Sequence, residues 1–281
     1  MDSLDSLLAH FTLRAGVFYT GNICGIHDFE QDQQRGHLHL IRRGAVQVLG
    51  ARKQDFEISE PTLLFLPRPD THRLLADEQA GADVVCGTVQ FGGGGHNPIT
   101  DSLPDVVLVE LRLLPGIDAL LELMFEEAFA GHSGRQAVMD RLCEVLIIRL
   151  LRYTIAQGQT QGGTLAGLAD QRLSRVISAI HDDPAHDWNL ESMAAQAGMS
   201  RARFAARFRD ITGETPADYL ASWRVMTAQR LLRKGLQIKH VADDVGYGSP
   251  SALARAFARK LGCSPSEWIK ENRSSGADAQ A

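Results

Sequence analysis

The sequence predicts an α+β protein of two domains. Three observations carry this: short apolar runs broken by Gly, Pro and Asp up to Val89, helical apolar spacing after Gly116, and a C-terminal segment that repeats itself. At 281 residues the chain is long for one core and about right for two.

In the first half, the apolar runs at 38–41, 45–49, 62–66 and 84–89 read as strands of an antiparallel sandwich or barrel. Between residues 116 and 157 the period changes. Leu120, Leu121, Met124, Phe125 and Phe129, then Val138, Leu142, Val145, Leu146 and Arg149, recur at helical spacing. Two flanking helices are predicted, with an apolar stripe wide enough for either core or a dimer seam.

The stretch QGQTQGGTLAG at 157–167 has no periodic face and suits a flexible connection. The expected division is a sensor and dimerisation domain at 1–160, a linker at 161–167, an all-α domain at 168–273 and a flexible tail at 274–281. Charge follows the same division: of the net −5, about −8 lies before residue 168 and about +3 after it. Only the C-terminal part is therefore suited to a polyanion.

There is no run of eighteen apolar residues and no basic start followed by an apolar block, so a cytoplasmic protein without a membrane partner is expected. Four dispersed cysteines, Cys24, Cys86, Cys143 and Cys263, do not make the disulfide framework of a small secreted domain.

The segment 190–220 recurs about 48 residues later at 238–269. Leu190 aligns with Ile238, Met193 with Val241, Ala194 with Ala242, Ala197 with Val245 and Gly198 with Gly246. After one inserted residue, Gly248, the register continues with Ser200 on Ser249, Phe208 on Phe257, Gly213 on Gly262, Pro216 on Pro265 and Tyr219 on Trp268. Each copy has a small residue where a second helix crosses, a Gly suited to a tight turn, and a Ser N-cap opening the next helix. This is the anatomy of a helix-turn-helix, here present twice and joined by one long helix from Thr215 toward Gly235.

Helical periodicity puts Phe204, Phe208 and Ile211 inward and leaves Ser200, Arg201, Ala202, Ala205 and Ala206 toward a ligand. In the second copy Leu253, Phe257 and Leu261 point inward, and Ser249, Ser251, Ala252, Arg255 and Arg259 are presented. Small side chains let a helix enter the major groove, and an Arg can donate two bonds to guanine. Arg255 is the strongest candidate base reader, while Arg203, Arg207, Arg209, Arg259 and Lys260 suit phosphates. A rigid connecting helix would set the two readers in successive grooves, about 34 Å apart.

Residues 172–272 resemble the DNA-binding domain of the AraC/XylS family, through LESMAAQAGMSRARFAARFRDITGETPADYL and VADDVGYGSPSALARAFARKLGCSPSEW. The resemblance implies a double-stranded DNA partner, transcription activation with RNA polymerase, and a homodimer.

GHLHLIRRG (36–44) and LPRPDTH (66–72) resemble the two short motifs of cupin barrels, whose histidines can hold a metal. His37 and His39 share a strand face, and His72 lies in the second motif. The chain departs from the metal-binding pattern: no Glu follows His-x-His at the usual interval, and Pro69 or Asp70 stands where Gly is common. An enzyme would need a complete ligand set with an open position, so the chain is expected not to be one. Cys24, His39, His72 and Cys86 would suit zinc or copper, and otherwise no cofactor is expected.

More narrowly, LFLPRPDTHRLL, VVCGTVQF and SLPD look like the cupin-type sensor of a subset of this family. That resemblance implies an oxidant signal read by Cys24 and Cys86, which barrel closure would have to bring together. A small organic effector in the barrel is the other reading. Cys143 and Cys263 are expected to be structural.

Overall fold

The computed structural model describes residues 3–31, 35–92 and 97–270, so the tail at 274–281 lies outside the described residues. A short helix, α1 (Ser3–His10), precedes nine strands: β1 (Leu13–Ile23), β2 (Gly25–Phe29), β3 (Gly36–Arg43), β4 (Val46–Ala51), β5 (Gln54–Ile58), β6 (Thr62–Leu66), β7 (His72–Ala76), β8 (Ala82–Phe91) and β9 (Val107–Glu110). The helices that follow include α2 (Ile117–Ala130), α3 (Arg135–Ala156), α4 (Gly163–Ala169), α5 (Leu173–Asp182), α6 (Leu190–Gln196), α7 (Arg201–Thr212), α8 (Pro216–Arg233), α9 (Ile238–Asp244) and α10 (Pro250–Leu261). None of the described helices is long and apolar enough to cross a membrane.

The described residues form two compact units, one holding most of residues 12–161 and the other joining residues 3–11 to residues 162–270. The first is the expected cupin-like double sheet. One sheet runs β1-β8-β3-β6-β9 and the other β2-β7-β4-β5, with every pairing antiparallel. Alternate residues Ile41, Leu64, Leu66, Val84 and Cys86 meet Val46, Val48, Leu74 and Ala76 in one core. A register shift between Val17 and Tyr19 bends β1. The displaced backbone is satisfied from α3, where Asp140 accepts from the Val17 N–H at 3.1 Å and Gln136 donates to its carbonyl at 2.7 Å.

Both flanking helices form as expected, but their apolar stripe divides. Met139, Cys143, Leu146, Ile147, Leu150 and Leu151 are buried, while Phe129, Val138 and Val145 face solvent. An apolar band wider than one contact face cannot all be buried by a single neighbouring layer.

The expected flexible linker is in fact helical from Gly163. Thr164, Leu165 and Gly167 are buried, and a Cβ on Gly167 would lie 2.4 Å from Ile177 Cδ1 and 3.2 Å from Thr212 Cγ2. Glycine here serves close packing of α4 on α5 and α7 rather than flexibility.

The domain expected at 1–160 is also trimmed, because α1 packs on α5 in the second unit. Leu4, Leu7 and Phe11 are buried. Ser6 Oγ donates to Asp182 at 3.4 Å, and the His10 ring lies 4.3 Å from the Trp223 ring. His10 donates from Nδ1 to the Ser6 carbonyl (3.0 Å), so Nε2 accepts from Thr227 Oγ1 (3.2 Å). His181 also stacks on Trp223, at 3.5 Å, and hydrogen-bonds Tyr219 Oη at 2.6 Å.

Burial pulls the His10 ring down to about 4; the Ser6 carbonyl opposes this and Arg230 adds to it. His181 is likewise held well below its ordinary value, by burial and then by His10. A detached His10 would titrate near 6.5, so between that pH and about 4 the detached state binds more protons. Docking of α1 is therefore complete above pH ~6.5 and weakens as pH falls. Amide protection of residues 4–10, corrected for intrinsic exchange, should drop between pH 7.5 and 5; equal protection at both would contradict this assignment.

Candidate DNA interface and buried histidine–cysteine cluster

Each helix-turn-helix is built locally. Asn189 Oδ1 caps α6 by accepting from the Glu191 and Ser192 N–H groups at 3.0 and 2.9 Å, and Ser192 Oγ accepts from the Asn189 N–H at 3.0 Å. Asn followed three residues later by Ser is the local sequence signal of this cap. Gly198 (φ 63°) and Gly246 (φ 78°) take the left-handed turns before the second helices, a conformation costly to any residue with a Cβ. Ser249 Oγ accepts from the Ala252 N–H at 3.2 Å, as expected of a cap. Ser200 occupies the matching position, but its side chain makes no capping bond.

Phe204, Phe208, Leu253 and Phe257 are fully buried. Two inward assignments shift. Ile211 is half-buried with Thr212 taking the inner place, and Leu261 is 40 % exposed because α10 ends there on the left-handed Gly262. Of the presented sets, Ser200, Arg201, Ala202, Ala206, Ser251, Arg255 and Arg259 are exposed, and Ala205, Ser249 and Ala252 are half-buried.

The basic residues are not equivalent. Arg207 forks onto the Asp170 carboxylate, with Nε at 2.9 Å and Nη2 also bonded. Burial raises the Asp170 pKa, but the Leu173 N–H, Arg207 and the Arg172 N–H together bring it below the ordinary carboxylate value. Lys260 lies 4.0 Å from Asp218. Two of the five expected phosphate ligands are thus engaged by acids of their own domain, whereas Arg203, Arg209 and Arg259 are exposed on the helices.

In the first unit His37, His39 and His72 are buried at the centre of the double sheet, His37 and His39 from β3 and His72 from β7. The register sets His39 opposite Cys86 on β8, and His39 Nδ1 is 3.1 Å from Cys86 Sγ. Its Nε2 is 2.8 Å from His72 Nε2, and Phe29 stacks on His72 at 5.2 Å. Burial, then the neighbouring His72 and His37, keeps His39 well below its usual pKa; burial and His37 bring His72 down to about 4. Burial also pushes the Cys86 thiol up to about 12. Near neutral pH the chain His72–His39–Cys86 consists of neutral rings and a protonated thiol.

This arrangement does not fit a metal. Two nitrogens bound tetrahedrally at about 2.0–2.1 Å stand roughly 3.3 Å apart, beyond the 2.8 Å found here, and the other His39 nitrogen is engaged with Cys86. Among the described residues no three His, Cys, Asp or Glu side chains are disposed to hold an ion.

Cys24 is exposed, with Sγ donating to Asn22 Oδ1 at 3.3 Å, and is not part of this cluster. Because Tyr19 pairs with Cys86 and Ile23 with Ala82, Cys24 lies beside Gly81, five residues along the strand direction from Cys86. At about 3.3 Å per residue that is roughly 16 Å, far beyond the ~7 Å Cα limit of a disulfide. The juxtaposition expected from barrel closure is absent because β1 and β8 run antiparallel in a register that separates the two residues.

Two helix-turn-helix units sharing one long helix, with exposed arginines on the second helix of each, define a DNA-binding transcription regulator. The chain belongs to the AraC-type regulators that carry a cupin domain: residues 2–156 match the Cupin family and residues 193–271 the Helix-turn-helix domain family. It is 31 % identical to the RCS-specific HTH-type transcriptional activator RclR of Escherichia coli, over 84 % of this chain and 84 % of that one. An AraC-like transcription regulator of Streptomyces antibioticus is 30 % identical over 83 % of this chain and 86 % of its own. Among solved structures, the DNA-binding domain of AdpA in complex with a target DNA is 36 % identical, covering 38 % of this chain and 96 % of that one with a TM-score of 0.36. These relatives are regulators rather than enzymes.

Proposed function

We propose that this regulator is a cytoplasmic, homodimeric activator that lays α7 and α10 in successive major grooves of double-stranded DNA and recruits RNA polymerase when an oxidant acts on its cysteines. The observation that carries the DNA reading is the pairing of two equivalent presented faces. Ser200, Arg201, Ala202, Ala205 and Ala206 lie on one; Ser249, Ser251, Ala252, Arg255 and Arg259 lie on the other. Alanines and serines permit close approach, Arg255 reads a base, and Arg203, Arg209 and Arg259 hold phosphates. The uncapped Ser200 hydroxyl leaves α7 with N–H groups suited to a phosphate. Phe129, Val138 and Val145, exposed on α2 and α3, support the dimer.

For the signal, support comes from the relative named as an RCS-specific activator and from the chemistry of the two thiols. The exposed Cys24 reacts first: its sulfur attacks a peroxide oxygen and releases water, or takes chlorine from hypochlorous acid to give a sulfenyl chloride that water hydrolyses with loss of chloride, and either route yields a sulfenic acid. Condensation with the Cys86 thiol would then release water and form a disulfide. A roughly 16 Å separation means that this bond can close only if β1 and β8 rearrange, so the disulfide would trap a conformation different from the reduced one. Shielding by burial and a thiol held protonated keep Cys86 unreactive until then.

Cys24→Ser is expected to abolish the oxidant response of a reporter while leaving DNA affinity within about twofold. In the wild type, peptide mass spectrometry should show a reversible Cys24–Cys86 linkage. A serine variant that answers hypochlorite normally would transfer control to a bound organic effector. Arg255→Ala should cost about 1–3 kcal/mol at one base position and relax specificity there; uniform weakening on all sequences would make Arg255 a phosphate contact instead.

A further inference from the structure

The two helix-turn-helix units have separate cores, one around Phe204, Phe208 and Tyr219, the other around Val225, Ala228, Val241, Leu253 and Phe257. Arg224 lies between Trp223 and Val225 on α8 and is half-buried. Its Nε donates to the Pro184 carbonyl at 2.8 Å and its Nη2 to the His186 carbonyl at 2.9 Å. Both acceptors belong to the loop that leads into α6 of the first unit. The same guanidinium lies 5.5 Å from the ring centre of Tyr247, in the turn between α9 and α10 of the second unit.

The two loops also meet directly. A Cβ on Gly246 would stand 2.8 Å from Ala185 Cα, 2.9 Å from the Ala185 carbonyl oxygen and 2.7 Å from Arg224 Nη2. The first loop is braced internally, with Trp188 Nε1 donating to the Asp183 carbonyl (2.8 Å) and Asp183 accepting from the His186 N–H (3.1 Å). A displacement of the Tyr247 turn is therefore passed to the start of α6, and the reverse.

We propose that Arg224 is a positioning residue that fixes the angle and separation of α7 and α10, and so sets the half-site spacing the protein accepts. Its planar fork serves two carbonyls and a ring face at once, a task beyond the single donor point of lysine. The inference rests on both second helices engaging DNA, as proposed above.

The test uses the full-length protein and a duplex selected by the wild type from a random pool, with half-sites located by footprinting. Duplexes with one base pair inserted or deleted between the half-sites are then compared for the wild type, Arg224→Lys and Tyr247→Leu. The wild type should protect two half-sites and disfavour altered spacing by about tenfold or more. Both variants should bind the selected duplex more weakly and lose most of that spacing preference, while base discrimination within each half-site is retained. Two protected half-sites with unchanged spacing preference in folded variants would overturn the role of Arg224. A single protected half-site in the wild type would overturn both this inference and the two-groove reading. Should Arg224→Lys fail to fold, Tyr247→Leu alone decides, since it removes only the ring face of the interlock.

Discussion

The burial of α8 on opposite sides is the constraint on which the rest of the DNA-binding unit depends. Tyr219 and Leu220 belong to the first helix-turn-helix core, and Val225, Ala228 and Leu232 to the second, so one helix is a wall of both. Trp223 is 1 % exposed and in contact with the His10 and His181 rings; truncating such a side chain costs about 3–5 kcal/mol. Thr215 accepts from the Asp218 N–H and Pro216 starts the helix in a preset conformation, which gives this wall a defined beginning. A segment from the far N-terminus, α1, completes the Trp223 side of it, so the DNA-binding unit is assembled from both ends of the chain.

In the double-sheet unit the controlling feature is a polar chain inside an apolar core. His39 uses both ring nitrogens, one on Cys86 and one on His72, so no buried nitrogen of that ring is wasted. Low pKa values follow from burial, and they keep the cluster uncharged where a charge would have no solvent. Oxidation of Cys86 would put a larger, more polar group among Ile41, Leu64, Val84 and Leu74, which the close packing of the sheets does not accommodate without movement.

Features written locally in the sequence were legible. The repeat, the turn glycines Gly198 and Gly246, the inward phenylalanines and the Ser249 cap each depend on neighbours within a few residues. Four of the strands could be read from their apolar runs, but β1 could not, because Gly16, Gly21 and a bulge at Val17 break its alternation. Pairings across long separations were the ones missed. α1 joins a unit that otherwise begins at residue 162, and Arg207 is taken up by Asp170 in the α4–α5 loop, whereas His39, His72 and Cys86 were grouped in sequence and only Cys24 falls away from them. Gly167 misled for a related reason: composition suggested flexibility, whereas the crowding of Ile177 and Thr212 around it is visible only in three dimensions.

With α8 as a shared wall, the two helix-turn-helix units are expected to form one rigid reader before DNA arrives. Pulsed electron spin resonance between labels introduced orthogonally at Gln196 on α6 and Asp243 on α9, both exposed and outside the presented faces, tests this. A single narrow distance population in the free protein, unchanged on binding a selected duplex, is the expected result. A broad population that narrows only on DNA would contradict it, and would make the duplex rather than α8 the element that aligns the two helices.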